Sequence, residues 1–228
     1  TPTAGTATLM LAGHERWHPN PDFLTTPGPG AGPLFDMGPY YITAMIALLG
    51  PVRRVTALAA RGRDSRIIAT GPRAGQSVPV ETPTHVTGVL EFAGGALVQL
   101  VTSFDVKAHG HAPLELYGTE GSLIIPDPNR FDGTVRLYGA DWQDQPTTHA
   151  HGDGNYRGLG LAEMAAAILA GRPHRASGAL ALHALEVIET LLASAESGQA
   201  IALQTTCERP AAMRPGGAIG DISAAEAA

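Results

Sequence analysis

Apolar positions along the chain fall into two rhythms. The opening run GTATLMLAG, Gly5 to Gly13, is short, β-leaning and closed by glycine, which predicts a first strand. A Pro/Gly-rich loop, Pro19 to Pro33, follows. A period near 3.6 then takes over. Ile42, Met45, Ile46 and Leu49 share a helical face, Pro39 suits a first helical position, and Gly50-Pro51 ends the helix. From Val52 to about Tyr138 the period is two. HVTGVLEF and ALVQLVTSF flank Ala93-Gly94-Gly95 as a hairpin. Val86, Leu90 and Phe92 share one face of the first strand, and Val98, Leu100 and Phe104 one face of the second. His85, Thr87 and Glu91, with Gln99, Ser103 and Asp105, take the opposite faces. PLELYGTEGSLIIP predicts two strands around GTEG, and GTVRLYG another. Helical spacing returns in LAEMAAAILAG, which ends at Gly171, and in SGALALHALEVIETLLASAESG, with Ser177 as N-cap and Gly198 just past the end. The Pro-, Gly- and Ala-rich stretch after Leu203 reads as loose. The sum is α+β: one domain over residues 1–210, a large and predominantly antiparallel β-sheet with helices packed on its apolar face, then a tail over 211–228.

Composition narrows the classes. The 228 residues are 44% hydrophobic and 16% charged, the balance of a globular chain. A net charge of -6 without a dense Lys/Arg cluster argues against nucleic acid or an anionic membrane as partner. A single cysteine, Cys207, leaves no internal disulfide and fits a cytoplasmic location. YYITAMIALLG is only about half the roughly 20 residues of a membrane span, and no apolar run is expected to span a bilayer. The chain starts at Thr1 and enters a strand almost at once, so it is expected to be cut from something longer.

His14-Glu15-Arg16-Trp17-His18 spells H-E-x-x-H, the pattern of zinc proteases, which works only on a helix. Gly13 before it and Pro19 and Pro21 after it oppose a helix, so the expected form is an irregular loop after a strand. GLGLAE, Gly158 to Glu163, is a partial nucleotide-binding pattern, but a polar, glycine-rich stretch precedes it instead of a buried strand. Asp36 and Tyr40 stand four residues apart at a helix start and can point at one spot. The helix's positive end suits a phenol that must lose a proton. The same spacing would arise if Asp36 merely capped the helix and Tyr40 packed.

The stretch GAGPLFDMGPYYITAMIALLG resembles the substrate-domain motif G-G-G-x-x-x-D-x-G-x-H-x-x-D of the glucose-fructose oxidoreductase / inositol dehydrogenase / MocA family. The glycines fall on Gly30, Ala31 and Gly32, the motif Asp on Asp36 and the Gly on Gly38. Tyr40 replaces the usual His, as in the family's Tyr-bearing members, and Thr43 replaces the second Asp. YGTEGSL, RGLGLAEMAAAILAGRPHRAS and ALEVIETLLASAESGQAI are similar to further family stretches, so the resemblance spans Ala7 to about Pro210.

The resemblance implies an NAD(P)-dependent oxidoreductase acting on a sugar, polyol or related carbinol by hydride transfer. Tyr40 and Asp36 would be catalytic, and Trp17, His18 and Arg157 would bind the substrate. It implies a dinucleotide-binding domain, with an active-site lysine, outside this chain. NAD or NADP would bind mainly there, and the chain alone would bind none. A homodimer or larger assembly through the sheet face is also implied. The alternative is a free-standing, non-catalytic sugar-binding or oligomerisation module of the same fold.

Overall fold

The computed structural model describes residues 1–18, 20, 31–146 and 148–215. Most of the Pro19–Pro33 loop, Gly30 of the glycine motif and residues 216–228 of the tail lie outside the described residues. The elements run β1 (Pro2–Met10), α1 (Gly32–Asp36), α2 (Gly38–Leu49), β2 (Val52–Ala60), β3 (Ser65–Ile67), β4 (Ser77–Pro79), β5 (His85–Phe92) and β6 (Leu97–Ser103). β7 (Leu114–Gly118), β8 (Ser122–Ile125), β9 (Arg136–Tyr138), β10 (Trp142–Asp144), α3 (Leu159–Leu169), α4 (Gly178–Ser197) and β11 (Ile201–Ala202) follow.

Among the described residues, one sheet takes nine strands in the order β10-β9-β8-β7-β1-β6-β5-β2-β11, and β3 and β4 form a separate pair. Every neighbouring pair is antiparallel except β1 and β6, which run parallel with Ala7 opposite Leu100. Period-two alternation decides the faces. Register sets Ala7 beside Leu100 and Leu114, and Leu90 beside Val55 and Val98. These residues are buried in one core.

α2 and α4 cover that face, as the spacing predicts. Ile42, Met45 and Ile46 are buried from α2, and Leu180, Ala184, Val187, Ile188 and Leu191 from α4. α2 begins at Gly38, so Pro39 is its second residue, and Gly50 closes it with φ +88 and an N–H donated to Ile46 O at 2.9 Å. Ser177 caps α4 by accepting from Leu180 N at 3.1 Å, and Gly198 ends it with φ +67.

Two buried polar groups fasten α4 to β2. His183 Nε2 accepts from Val52 N at 3.0 Å, and Ser194 Oγ accepts from Ala57 N at 3.0 Å. By length and composition α4 is apolar enough to cross a membrane, against the expectation above. His183, Glu186, Glu189 and Glu196 break it into short runs in the sequence, and its buried stripe is spent on the sheet.

Two local features differ from the sequence reading. α1 occupies the end of the expected loop. In the stretch expected to be loose, Glu186 accepts from Gln204 N and Thr205 N, Arg209 Nε donates to Ala47 O, and Arg175 donates to Ala211 O and Ala212 O.

Candidate active site

Asp36 is the last residue of α1, and Tyr40 lies in the first turn of α2. Met37, not Asp36, occupies the N-cap position of α2, and no side chain caps that helix. Asp36 instead meets the turn after β1: its Oδ2 lies 3.3 Å from His14 Nε2.

That turn is a single one. Trp17 N and His18 N both donate to His14 O, at 3.1 and 2.8 Å, and Asn20 N donates to His18 Nδ1 at 3.1 Å. The longer helix that the zinc pattern requires does not form, and both oxygens of Glu15 are held 3.0 Å from Arg66 Nη1. Among the described residues no group of three His, Cys, Asp or Glu side chains gathers as a metal site.

The turn rests on a buried ionic network. Arg66 sits on β3 with its side chain almost wholly enclosed. Besides Glu15 it donates to Phe104 O and to Asp105 Oδ1, each at 2.8 Å. Asp105 Oδ2 in turn accepts from Thr84 Oγ1 at 2.6 Å. One guanidinium between two carboxylates offsets the cost of burying the charges only because most of its donors are used. Gly13 makes the approach possible. It has φ +106, and a Cβ there would run into Arg66 Nη1 and Glu15 Oε2.

Tyr40 has a different set of neighbours. Arg157 Nη1 donates to Tyr40 Oη at 3.4 Å, with the guanidinium carbon 5.5 Å from the ring centre. Arg157 Nη2 is itself held by Asn129 O and Oδ1, at 2.9 and 2.7 Å. The loop carrying Asn129 is tied to α2 by Tyr41, whose hydroxyl donates to Asp127 Oδ1 at 3.3 Å. Burial, then the charge and hydrogen bond of Asp127, push the Tyr41 phenol far above its usual range, so Tyr41 stays protonated as a structural donor. Of the adjacent tyrosines, Tyr41 faces the core and Tyr40 the site.

The sequence candidates thus fall into two groups, joined through the backbone Asp36-Met37-Gly38-Pro39-Tyr40. Asp36 stands with His14, Trp17 and His18, and Tyr40 stands with Arg157. Trp17 is 64% exposed, its indole ring 4.8 Å from the His14 ring and 5.6 Å from the His18 ring. Thr43, where the family motif has its second Asp, turns its hydroxyl back to Pro39 O at 2.6 Å. Sequence reasoning missed His14 as a partner of Asp36, and missed Asn129. Only the turn-forming Asp127-Pro128-Asn129 hinted at the latter. Gly158 to Glu163 opens α3 from turns, not from a strand, so the partial nucleotide pattern lacks its setting.

The profile of the GFO/IDH/MocA C-terminal domain matches residues 3–124. The chain belongs to the GFO/IDH/MocA family. No curated protein matches it. Among solved structures, a levoglucosan dehydrogenase in complex with NADH and L-sorbose is 18% identical with a TM-score of 0.69 over 90% of this chain. Aldose-aldose oxidoreductase from Caulobacter crescentus, complexed with glycerol, is 21% identical with a TM-score of 0.66 over 89% of it. An oxidoreductase from Agrobacterium radiobacter, in complex with NAD+, L-tartaric acid and magnesium, is 15% identical with a TM-score of 0.58 over 89% of it. At these identities the likeness is one of fold. This GFO/IDH/MocA chain spans 59%, 56% and 57% of those three chains.

Proposed function

We propose that this chain is the substrate and oligomerisation domain, over residues 1–210, of a cytoplasmic NAD(P)-dependent dehydrogenase acting on a sugar, polyol or related carbinol. The observation that carries the reading is the α1–α2 junction. It presents a carboxylate and a phenol one helical turn apart, the first against His14 and the second under Arg157.

The residues suit one end of a nicotinamide cofactor and not the other. Trp17 has an exposed ring for stacking on a nicotinamide or a sugar. Among the described residues no strand-borne glycine turn waits for a pyrophosphate, so we assign that part to a dinucleotide-binding domain outside residues 1–228. When bound, the nicotinamide supplies or accepts the hydride. Tyr40 takes the proton from the carbinol oxygen, or returns it to the carbonyl, through Oη. Asp36 accepts a hydrogen bond from a substrate hydroxyl and so aligns the sugar. His18 and Arg157 bind further hydroxyls at the two ends of the site.

In the full-length enzyme, Tyr40→Phe keeps the ring and removes the exchanging oxygen. It should lower kcat by about 10² to 10⁴ with the fold intact. If the variant keeps more than half of wild-type kcat while hydride transfer limits the rate, Tyr40 is a packing residue.

A further inference from the structure

The turn beneath Asp36 contains a histidine that the reaction above does not use. His14 is 5% exposed. Its ring lies edge-on to Phe104, with centroids 4.4 Å apart, and 4.8 Å from the Trp17 ring. Nε2 faces Asp36 Oδ2 at 3.3 Å, whereas Nδ1 is buried with no hydrogen-bond partner among the described residues. The two nitrogens are therefore not equivalent. A proton on Nδ1 would find no acceptor among the described residues. A proton on Nε2 would stand beside a carboxylate oxygen, 3.3 Å from the nitrogen. Burial lowers the ring's pKa most. His18 and Arg66 act in the same sense, and Asp36 and Glu15 oppose them, so the ring is neutral near neutrality.

We propose that His14 is a positioning residue for Asp36: a neutral imidazole whose Nε2–H holds one carboxylate oxygen and leaves the other aimed at the substrate. The proposal rests on the dehydrogenase reading for its purpose. Its geometry stands apart from that reading. The His14 backbone is pinned between Gly13 and the Glu15–Arg66 pair, and Phe104 stops the ring from retreating. A carboxylate docked on a fixed donor loses the freedom to rotate between turnovers, which is what a supporting residue contributes to a site.

The 228-residue chain tests the pairing directly. Long-range ¹H–¹⁵N spectra of the nine histidine rings, with His14→Gln identifying the His14 signals, should show Nε2 protonated and Nδ1 bare near neutral pH. Asp36→Asn should shift those signals. A protonated Nδ1, or signals indifferent to Asp36→Asn, overturns the proposal. In the full-length enzyme, His14→Leu should lower kcat by about 10- to 100-fold. His14→Gln, which keeps an N–H close to the Nε2 position, should restore most of the loss. Equal losses in both variants overturn the positioning role. If the full-length protein oxidises no sugar or polyol at all, the dehydrogenase reading fails, while the ring spectra still decide whether His14 orders Asp36.

Discussion

Gly13 is the residue on which the Asp36 half of the site turns. Its φ of +106 sends the chain from β1 into the His14 turn, and the space where a Cβ would stand is filled by Glu15 and Arg66. Gly13→Ala combines left-handed strain with displacement of a buried ion pair. It should therefore cost about 3 kcal/mol or more. Urea unfolding monitored by circular dichroism checks this, and a midpoint within error of wild type would mean that the pair relaxes freely. The local sequence marked Gly13 only as the end of a strand and a bar to a helix, because Arg66, which fills its Cβ space along with Glu15, arrives from far away. Arg66 is 51 residues from Glu15 and 39 from Asp105. Asp36 and Tyr40 were legible because their relation is four residues long and falls at a helix start. His14 was legible only as half of a metal pattern, since its actual partner stands on another element.

Elements whose hydrophobic period runs for two turns or more could be read from the sequence: α2, α3, α4 and the β5–β6 hairpin all stand where the spacing puts them. The misses are short or paired at long range. α1 has five residues inside a Gly/Pro-rich stretch, too few to show a period. β11 has two residues and exists only because β2 offers an edge. The closeness of α4 to the sheet depends on a second glycine. A Cβ on Gly88 would stand 2.7 Å from Thr56 O and 2.8 Å from Leu191 Cδ2. Gly88→Ala should lower stability by about 1–3 kcal/mol through overpacking under α4. Gly94→Ala in the adjacent turn, where the nearest atom would be Leu49 O at 3.9 Å, serves as the control. Thermal unfolding that failed to separate the two variants would show that α4 can shift without cost.

At the scale of the molecule, pH and association carry the predictions. Burial lowers the pKa of His14 and of His183. An unfolded chain takes up protons on such groups near pH 6.5 while the folded chain resists, so this stabilisation is present above about pH 6.5 and is lost as pH falls towards the folded values. Glu163 and Glu186 have lowered values despite burial, because hydrogen bonds from Arg172 and the Arg175 N–H hold the first, and those from Thr205 and the Gln204 N–H the second. Their contribution is present above the usual carboxylate pKa and is lost below it. Stability should decline in two stages on acidification, and chemical unfolding midpoints between neutrality and about pH 3 would show a flat profile if neither group mattered.

The sheet's other face carries Leu58, Val89 and Leu97, respectively 68%, 38% and 50% exposed, on a diagonal across β2, β5 and β6. An apolar diagonal on a broad sheet suits a self-complementary contact. Light scattering should find a dimer or larger assembly, and the pair Leu58→Lys with Val89→Lys should shift it to monomer. A wild-type chain already monomeric at micromolar concentration would leave that face to solvent.

The parallel pairing of β1 with β6 has a consequence for the order of assembly. Because the two strands point the same way, their exits leave from one end of the sheet. Leu11 N donates to Ser103 O and Val106 N to Leu11 O, and this brings Phe104 against His14. An antiparallel neighbour would have put those exits at opposite ends. The β5–β6 hairpin can zip early from local contacts, but β1 must return across two helices and four strands of intervening chain before it docks. Loop-closure cost therefore predicts that the Asp36 half of the site forms late. The proposed substrate site would then be completed only after the hairpin has formed.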